Sequence, residues 1–427
     1  MHILLINPNR YRFPPVIPVA LEYLAGALER HGHTYTVLDL CFSEDPEARI
    51  HEAVERCKPQ LAGITVRQID TVLYQGNEFF LDQIREYVRL IHGHGLGVVL
   101  GGSGFSVMPR EVLAYTGAEW GIAGPGEKAL PKLLNAVHKK RRVPRVLQGY
   151  GDEACLGFPR KKVIDYSPYL ATQGIVGFRT SGGCTEHCFF CTEGGKPPVF
   201  RGPEATAAEI AGLKAMGFRD FHLCDSEFNQ SLEHCLAVCR ALIKRAGKIN
   251  WSLYMKPEPF SEELFKLLGA SGAGSITLSL DAAFLKKDRQ KSIRRFFQLA
   301  HESGIKVAVD LSLGGPGETP ARAKACVDFL DTVEVATVGV NACYRIYPGT
   351  PLYDEIQGNG KLMQYVTGYD PAGGFLRPVF FNRLPESAIG EMLRGRPKFR
   401  LEGAEMATNY QRIGSANKNK NRASGSG

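Results

Sequence analysis

The sequence predicts an α/β protein in two parts, a doubly wound parallel sheet followed by a partial (β/α)6 barrel. Three observations predict it. Short aliphatic runs alternate with amphipathic segments through the first third of the chain, a second such alternation begins near residue 175, and a basic stretch rich in Pro and Gly separates the two. A chain of 427 residues is long enough for two or three domains.

The first alternation opens with Ile3-Leu4-Leu5-Ile6 and a helix over 19–29, then Tyr35-Val37-Leu38, Leu61 to Ile64, a long helix over 79–91, Val98-Val99-Leu100 and a helix over 110–115. This βαβ rhythm implies parallel strands joined by crossover helices. We assign residues 1–138 to this domain and 139–172 to a linker. In the second alternation, strands are expected over 175–179, 221–224, 251–256, 275–280, 306–312 and 337–346. Six strands with helices between them make the barrel of residues 173–355. Residues 356–413 are less periodic and form a carboxyl-terminal extension, and 414–427 is a polar tail with nothing to bury.

Charge and composition narrow the function. The net charge of +8 owes much to the Lys139-Lys140-Arg141-Arg142 run and to Lys418, Lys420 and Arg422. These basic residues are not interleaved with aromatics along one element, which argues against a nucleic-acid face. No apolar run reaches the roughly 18 residues of a membrane span, and Met1 to Ile6 lacks the flanks of a secretory signal. The eleven cysteines are odd in number and scattered. They point to reduced thiols or metal ligands, and to the cytoplasm.

Cys184, Cys188 and Cys191 make a C-x3-C-x2-C loop after a predicted strand, with Gly182-Gly183 before it and Gly194-Gly195 after. Three thiolates on one compact loop can hold three irons of a four-iron cluster and leave the fourth open. The glycines let the backbone wrap closely, and Phe189 with Phe190 would shield the cluster. Zinc would need a fourth ligand, which only His187 could supply from within the loop.

Period-two polarity marks the barrel strands. Ser252, Tyr254 and Lys256 alternate with Trp251, Leu253 and Met255; Thr277, Ser279 and Asp281 alternate with Ile276, Leu278 and Leu280. Asp310 and Ser312 follow the same rule, as do Asn341, Cys343 and Arg345 on the last strand. Parallel strands are normally apolar on both faces, so each polar set implies an inward, solvated cavity for a polar substrate.

On the cysteine loop the chain resembles the radical S-adenosylmethionine (SAM) superfamily, over about 174–353. The resemblance implies a radical SAM barrel, a [4Fe-4S] cluster on the three cysteines, and SAM chelated to the open iron and cleaved to a 5'-deoxyadenosyl radical. It also implies an electron donor such as flavodoxin or ferredoxin. By the same likeness Asp225-Ser226-Glu227 would hold the SAM amine, Gly314 and Gly315 would lie near the adenine, and Ser279 and Asp281 would contact the ribose. Glycine turns at the carboxyl ends of the amino-terminal strands bring Asn7, Arg67, Gly101, Gly102, Ser103 and Gly104 to one edge. That domain is similar to the Rossmann-like cobalamin-binding domain of one large radical SAM class. It lacks the Asp-x-His-x-x-Gly loop, so any cobalamin would have no histidine ligand from it, and Arg67 would lie near the lower corrin face.

The likeness implies a radical dehydratase acting on an aminosugar, with a cobalamin-dependent C-methyltransferase as the alternative and a non-catalytic carrier as a third reading. For dehydration, Tyr254, Lys256 and Asp310 would move protons, and Glu258, Asn341, Arg345 and Asp281 would hold the substrate.

Overall fold

The computed structural model describes residues 1–12, 15–149, 156–172, 175–282, 285 and 287–402. The tail 414–427, all of 403–413 and a short part of the linker therefore lie outside the described residues. The chain divides into two compact units, Met1–Ile175 with Asp370–Pro378, and Val176–Tyr369 with the remainder. Among the described residues no helix is long and apolar enough to cross a membrane.

In the first unit six strands, β1 (His2–Asn7), β2 (Thr34–Asp39), β3 (Leu61–Thr65), β4 (Val98–Gly101), β5 (Trp120–Ala123) and β6 (Val146–Gln148), form one sheet in the order β2-β1-β3-β4-β5-β6. All neighbours are parallel. The order reverses between β1 and β3, the switch point where such sheets leave a crevice at their carboxyl edge. Ile3, Leu5, Leu61, Val99 and Ile122 bury one face of the sheet against Leu21, Leu28, Leu130 and Leu133 from the flanking helices.

The linker belongs to this unit. Arg160 is buried and donates to Glu22 at 2.5 Å, Tyr166 also donates to Glu22, and Tyr169 donates to Asp39 at 2.8 Å. The carboxyl-terminal extension is also not one piece, because Asp370–Pro378 packs with the first unit. There Arg377 stacks 4.6 Å over the Phe79 ring and pairs with Asp82 at 3.3 Å.

The second unit holds a seven-stranded parallel sheet built from β7 (Val176–Phe178), β10 (Asp220–Leu223), β11 (Asn250–Met255), β12 (Ala273–Asp281), β13 (Lys306–Ser312), β14 (Thr337–Asn341) and β18 (Phe399–Leu401). Its order, β18-β14-β13-β12-β11-β10-β7, follows the chain from one edge to the other. The seventh strand, β18, was not expected from sequence; it is three residues long, too short to show a period. Helices between the strands start on Ser or Thr caps. Ser231, Ser261, Thr319 and Thr350 each accept from a backbone N–H three residues on, and Pro320 and Pro351 stand at the first helical position.

Two further differences from expectation matter for the site. Between β7 and β10 lies an antiparallel hairpin, β8 (Ser181–Cys184) and β9 (Lys196–Phe200), whose connection carries the cysteines. The strand expected over 337–346 breaks after Asn341, and its second half, β15 (Tyr344–Arg345), pairs antiparallel with β17 (Phe380–Phe381), which also pairs with β16 (Val366–Thr367).

Close backbone approach at the first unit's carboxyl edge depends on glycine. Gly104 donates to the carbonyls of Val66 and Arg67, both at 2.9 Å, and a Cβ on it would lie 2.6 Å from Gln68 Cα. Gly102, at φ +102°, presses on Val66 in the same way. We expect Gly104→Ala to force the two loops apart and cost about 1–3 kcal/mol. A thermal midpoint lower than that of the unaltered chain would report it.

Candidate active site

The cysteine loop is pinned from three sides. Asp225 is buried and accepts four hydrogen bonds, from Thr180 N (2.7 Å), Thr180 Oγ1 (2.5 Å), Ser181 N (3.0 Å) and Ser181 Oγ (2.9 Å). Burial pushes its carboxyl up from the usual range, and these bonds oppose the shift. A carboxylate so saturated fixes the turn from β7 into β8. Asp225, expected at the SAM amine, has both carboxylate oxygens engaged by Thr180 and Ser181.

Lys256 is the second pin. Its ammonium reaches Thr185 Oγ1 at 3.1 Å and Glu186 at 2.8 Å, within the loop itself. Proton traffic was expected of it; the structure gives it the holding of the loop. Gln230, which no sequence signal marked, is the third: its Nε2 donates to Cys184 Sγ at 3.2 Å, and its Oε1 accepts from Thr185. Gly194 completes the wrap, since a Cβ there would sit 2.5 Å from the Glu186 carbonyl oxygen.

Within the loop Cys184 is buried and Cys188 and Cys191 are half-buried. Burial, with Cys191, Asp281 and Cys184 close by, pushes the Cys188 thiol up to about 12. Burial pushes the Cys184 thiol up as well, and thiols so raised need a cationic centre to become thiolate ligands. Three cysteines on one loop can serve three corners of a multi-iron cluster, whereas a tetrahedral zinc would want a fourth ligand. Phe189, Phe190 and Tyr344 form an aromatic wall beside them, with ring centroids 4.8 to 5.2 Å apart.

Glu227 behaves unlike Asp225 two residues earlier. Its Oε2 is buried without a hydrogen-bond partner, and burial pushes its carboxyl up to about 8, with Lys256 opposing and Glu186 and Asp310 adding to the rise. Ser226 donates to Glu193 at 3.1 Å. Of the remaining expected SAM contacts, Asp281 is buried at the end of β12 and Ser279 is exposed. Gly314 and Gly315 donate to Glu318 at 2.9 and 3.1 Å, closing their turn upon itself, and Gly315 faces Phe189 and Tyr344.

Inside the sheet the register sets Ser279, Asp310, Gly339 and Arg400 in one row. Tyr254 is half-buried; burial and the charges of Asp310, Glu227 and Glu402 hold its phenol well above the ordinary value. Glu402 was missed by sequence reasoning. It follows β18, and its carboxylate occupies the space that a side chain at Gly339 would fill, 2.0 Å from the would-be Cβ. His222 was also missed. It bonds Ser252 at 2.8 Å, and burial lowers it to about 4, so it is neutral at physiological pH.

The expected substrate residues separate. Asn341 ends β14 and accepts from Cys343 Sγ at 3.4 Å. Arg345 is buried in the small antiparallel sheet, donating to the Ile346 carbonyl at 2.6 Å and lying 4.7 Å from the Tyr347 ring, because the strand that was to carry it breaks. Glu258 is exposed and accepts from Ser292 at 2.6 Å.

At the first unit's edge, Asn7 is buried and donates to Asp39 at 2.8 Å, so it holds the β1 turn. Arg67 is exposed beside Gln68, and Ser103 Oγ donates to the Arg67 carbonyl at 2.6 Å. Above Gly101 a Cβ would meet nothing within 4 Å. This open, glycine-floored edge can admit a large planar ligand, and no histidine stands in the Asn7–Arg10, 66–68, 101–104 or 124–127 turns.

Residues 13–134 match the B12 binding domain and 178–330 match the radical SAM superfamily. The chain thus joins a B12-binding domain to a radical SAM domain, and it is a radical SAM enzyme. It is 28% identical to the tryptophan 2-C-methyltransferase of Streptomyces laurentii, over 81% of this chain and 73% of that one. The structure of TsrM, a radical SAM methyltransferase from Kitasatospora setae with cobalamin and a [4Fe-4S] cluster bound, superposes with TM-score 0.82 and 26% identity, covering 96% of this chain and 93% of that one. The hopanoid C-3 methylase of Methylococcus capsulatus is 22% identical over 82% of this chain and 71% of its own.

Replacing Lys256 by Met should loosen the loop. Glu186 keeps 34% of its side chain in solvent, so screening reduces the loss to about 1–2 kcal/mol. Iron and sulfide retained per chain after anaerobic reconstitution should fall relative to the unaltered protein.

Proposed function

We propose that the protein is a cobalamin-dependent radical SAM C-methyltransferase acting on a small, polar, aromatic substrate of the tryptophan kind. What carries this reading is the near full-length likeness to TsrM, a structure also known with tryptophan substrate and a SAM analogue bound. The curated methyltransferases point the same way, and dehydration of an aminosugar gives way to methyl transfer.

The residues fit the groups this chemistry needs. Cys184, Cys188 and Cys191 would hold the [4Fe-4S] cluster. SAM would lie along Glu227, Asp281, Gly314 and Gly315, with the wall of Phe189, Phe190 and Tyr344 for its adenine. The edge formed by Arg67 and Gly101 to Gly104 would seat cobalamin, with no histidine from the turns of that edge to ligate it. When bound, the cluster supplies an electron, SAM a methyl group and cobalamin a methyl carrier. The protein's own part is to place the substrate and exclude water. Tyr254, with the charges of Asp310 and Glu402 acting on it, would offer oriented acceptors for a substrate amine or ring N–H. His222, neutral and fixed by Ser252, can accept a proton there without carrying charge beforehand. The cysteines are odd in number and scattered, which suits a reducing compartment and an electron donor such as flavodoxin or ferredoxin.

With reductant, SAM and tryptophan, the reconstituted protein should give a product heavier by one methyl group, together with S-adenosylhomocysteine, and only when cobalamin is present. Mass spectrometry decides. Loss of water from an aminosugar, independent of cobalamin, would restore the dehydratase reading.

A further inference from the structure

We propose that Gln230 is a positioning residue for the iron-sulfur cluster, holding the Cys184 sulfur and setting the potential at which the cluster accepts its electron. The amide makes three bonds at once. Its Oε1 accepts from Thr185 N at 3.2 Å and Thr185 Oγ1 at 3.0 Å, while its Nε2 donates to Cys184 Sγ at 3.2 Å. Because Oε1 faces two donors, the amide can be oriented only one way, and an N–H is left to aim at the sulfur.

The backbone that carries Gln230 is itself fixed. It ends the short turn Phe228–Gln230, in which Phe228 is fully buried. Asn229 donates to the carbonyls of Lys256 and Pro259, each at 2.8 Å, and accepts from Lys256 N at 2.9 Å. The next residue, Ser231, caps the helix Leu232–Arg245. The donor is therefore in place before any cluster arrives.

A donor to a ligating sulfur strengthens as that sulfur gains charge. The reduced cluster carries one more electron than the oxidised one, so the Gln230 N–H stabilises the reduced form and raises the potential. Of the three pins only Gln230 bonds a cysteine sulfur with its side chain, since Lys256 bonds Thr185 and Glu186, and Asp225 bonds Thr180 and Ser181 ahead of the loop.

The inference rests on the iron-sulfur reading of the cysteine loop and not on methyl transfer. Its test is Gln230→Glu, which keeps the acceptor for Thr185 and the side-chain length but offers no N–H. In a redox titration of the reconstituted full chain followed by electron paramagnetic resonance, the ratio of reduced to oxidised cluster at a fixed poise should fall about tenfold. That corresponds to roughly 59 mV for a one-electron couple. Gln230→Met should shift the potential the same way and also retain less iron. In the unaltered protein labelled with 15N-glutamine, the reduced cluster should show a 15N coupling and an exchangeable proton coupling. A fully loaded Gln230→Glu cluster at the unaltered potential overturns the inference and leaves the cluster reading intact. If that variant takes up no cluster, the labelled protein decides, and absence of both couplings overturns the inference. If the unaltered protein itself takes up no cluster, the iron-sulfur reading falls and the inference with it.

Discussion

Bringing three thiolates together on one short, partly buried loop is electrostatically unfavourable, and the second unit is arranged around that constraint. Burial holds Cys188 as a thiol, and the neighbouring Cys191 and Cys184 add to that. The loop therefore cannot be left to find its own shape. Asp225 anchors the strand entering it, Lys256 supplies a positive charge to its interior, and Gln230 offers an N–H to one sulfur. These three residues come from the second and third strands of the parallel sheet and the turn between them, so the sheet itself sets the loop's position.

The same constraint accounts for the contrast between Asp225 and Glu227. They stand two residues apart, yet one carboxylate has four donors and the other has a buried oxygen with none. An unsatisfied buried oxygen costs free energy, whereas a saturated one holds its surroundings in place. Two acids of one short motif are thus separated by how their oxygens are satisfied.

Polarity inside the sheet is the second organising feature. Tyr254, Asp310 and Glu402 sit where an ordinary parallel sheet would place aliphatic side chains. Strand β18 adds to it by bringing Arg400 and Glu402 beside Gly339, whose missing side chain makes the room. A neutral His222 beneath avoids adding charge to that interior. In the first unit the corresponding economy is at the carboxyl edge, where glycines let two loops touch and leave a floor open above β4.

The sequence by itself determined the two α/β domains, the cysteine loop and the inward polar rows, because strand alternation, C-x3-C-x2-C spacing and period-two polarity are local patterns. It also placed Tyr254 and Asp310 in the barrel. Only the tertiary structure decided what each acid and base does. Asp225 proved to be a saturated holding group, Asn7 holds the turn after β1 through Asp39, and Arg345 left the sheet when its strand broke after Asn341. Glu258 turned out to be exposed beside Ser292, and Gln230 and Glu402 had no signal at all. Those roles depend on partners roughly 30 to 70 residues away, as with Lys256 and Glu186. Hydrogen-bond saturation and burial are properties of such distant pairs, and no local window of sequence carries them.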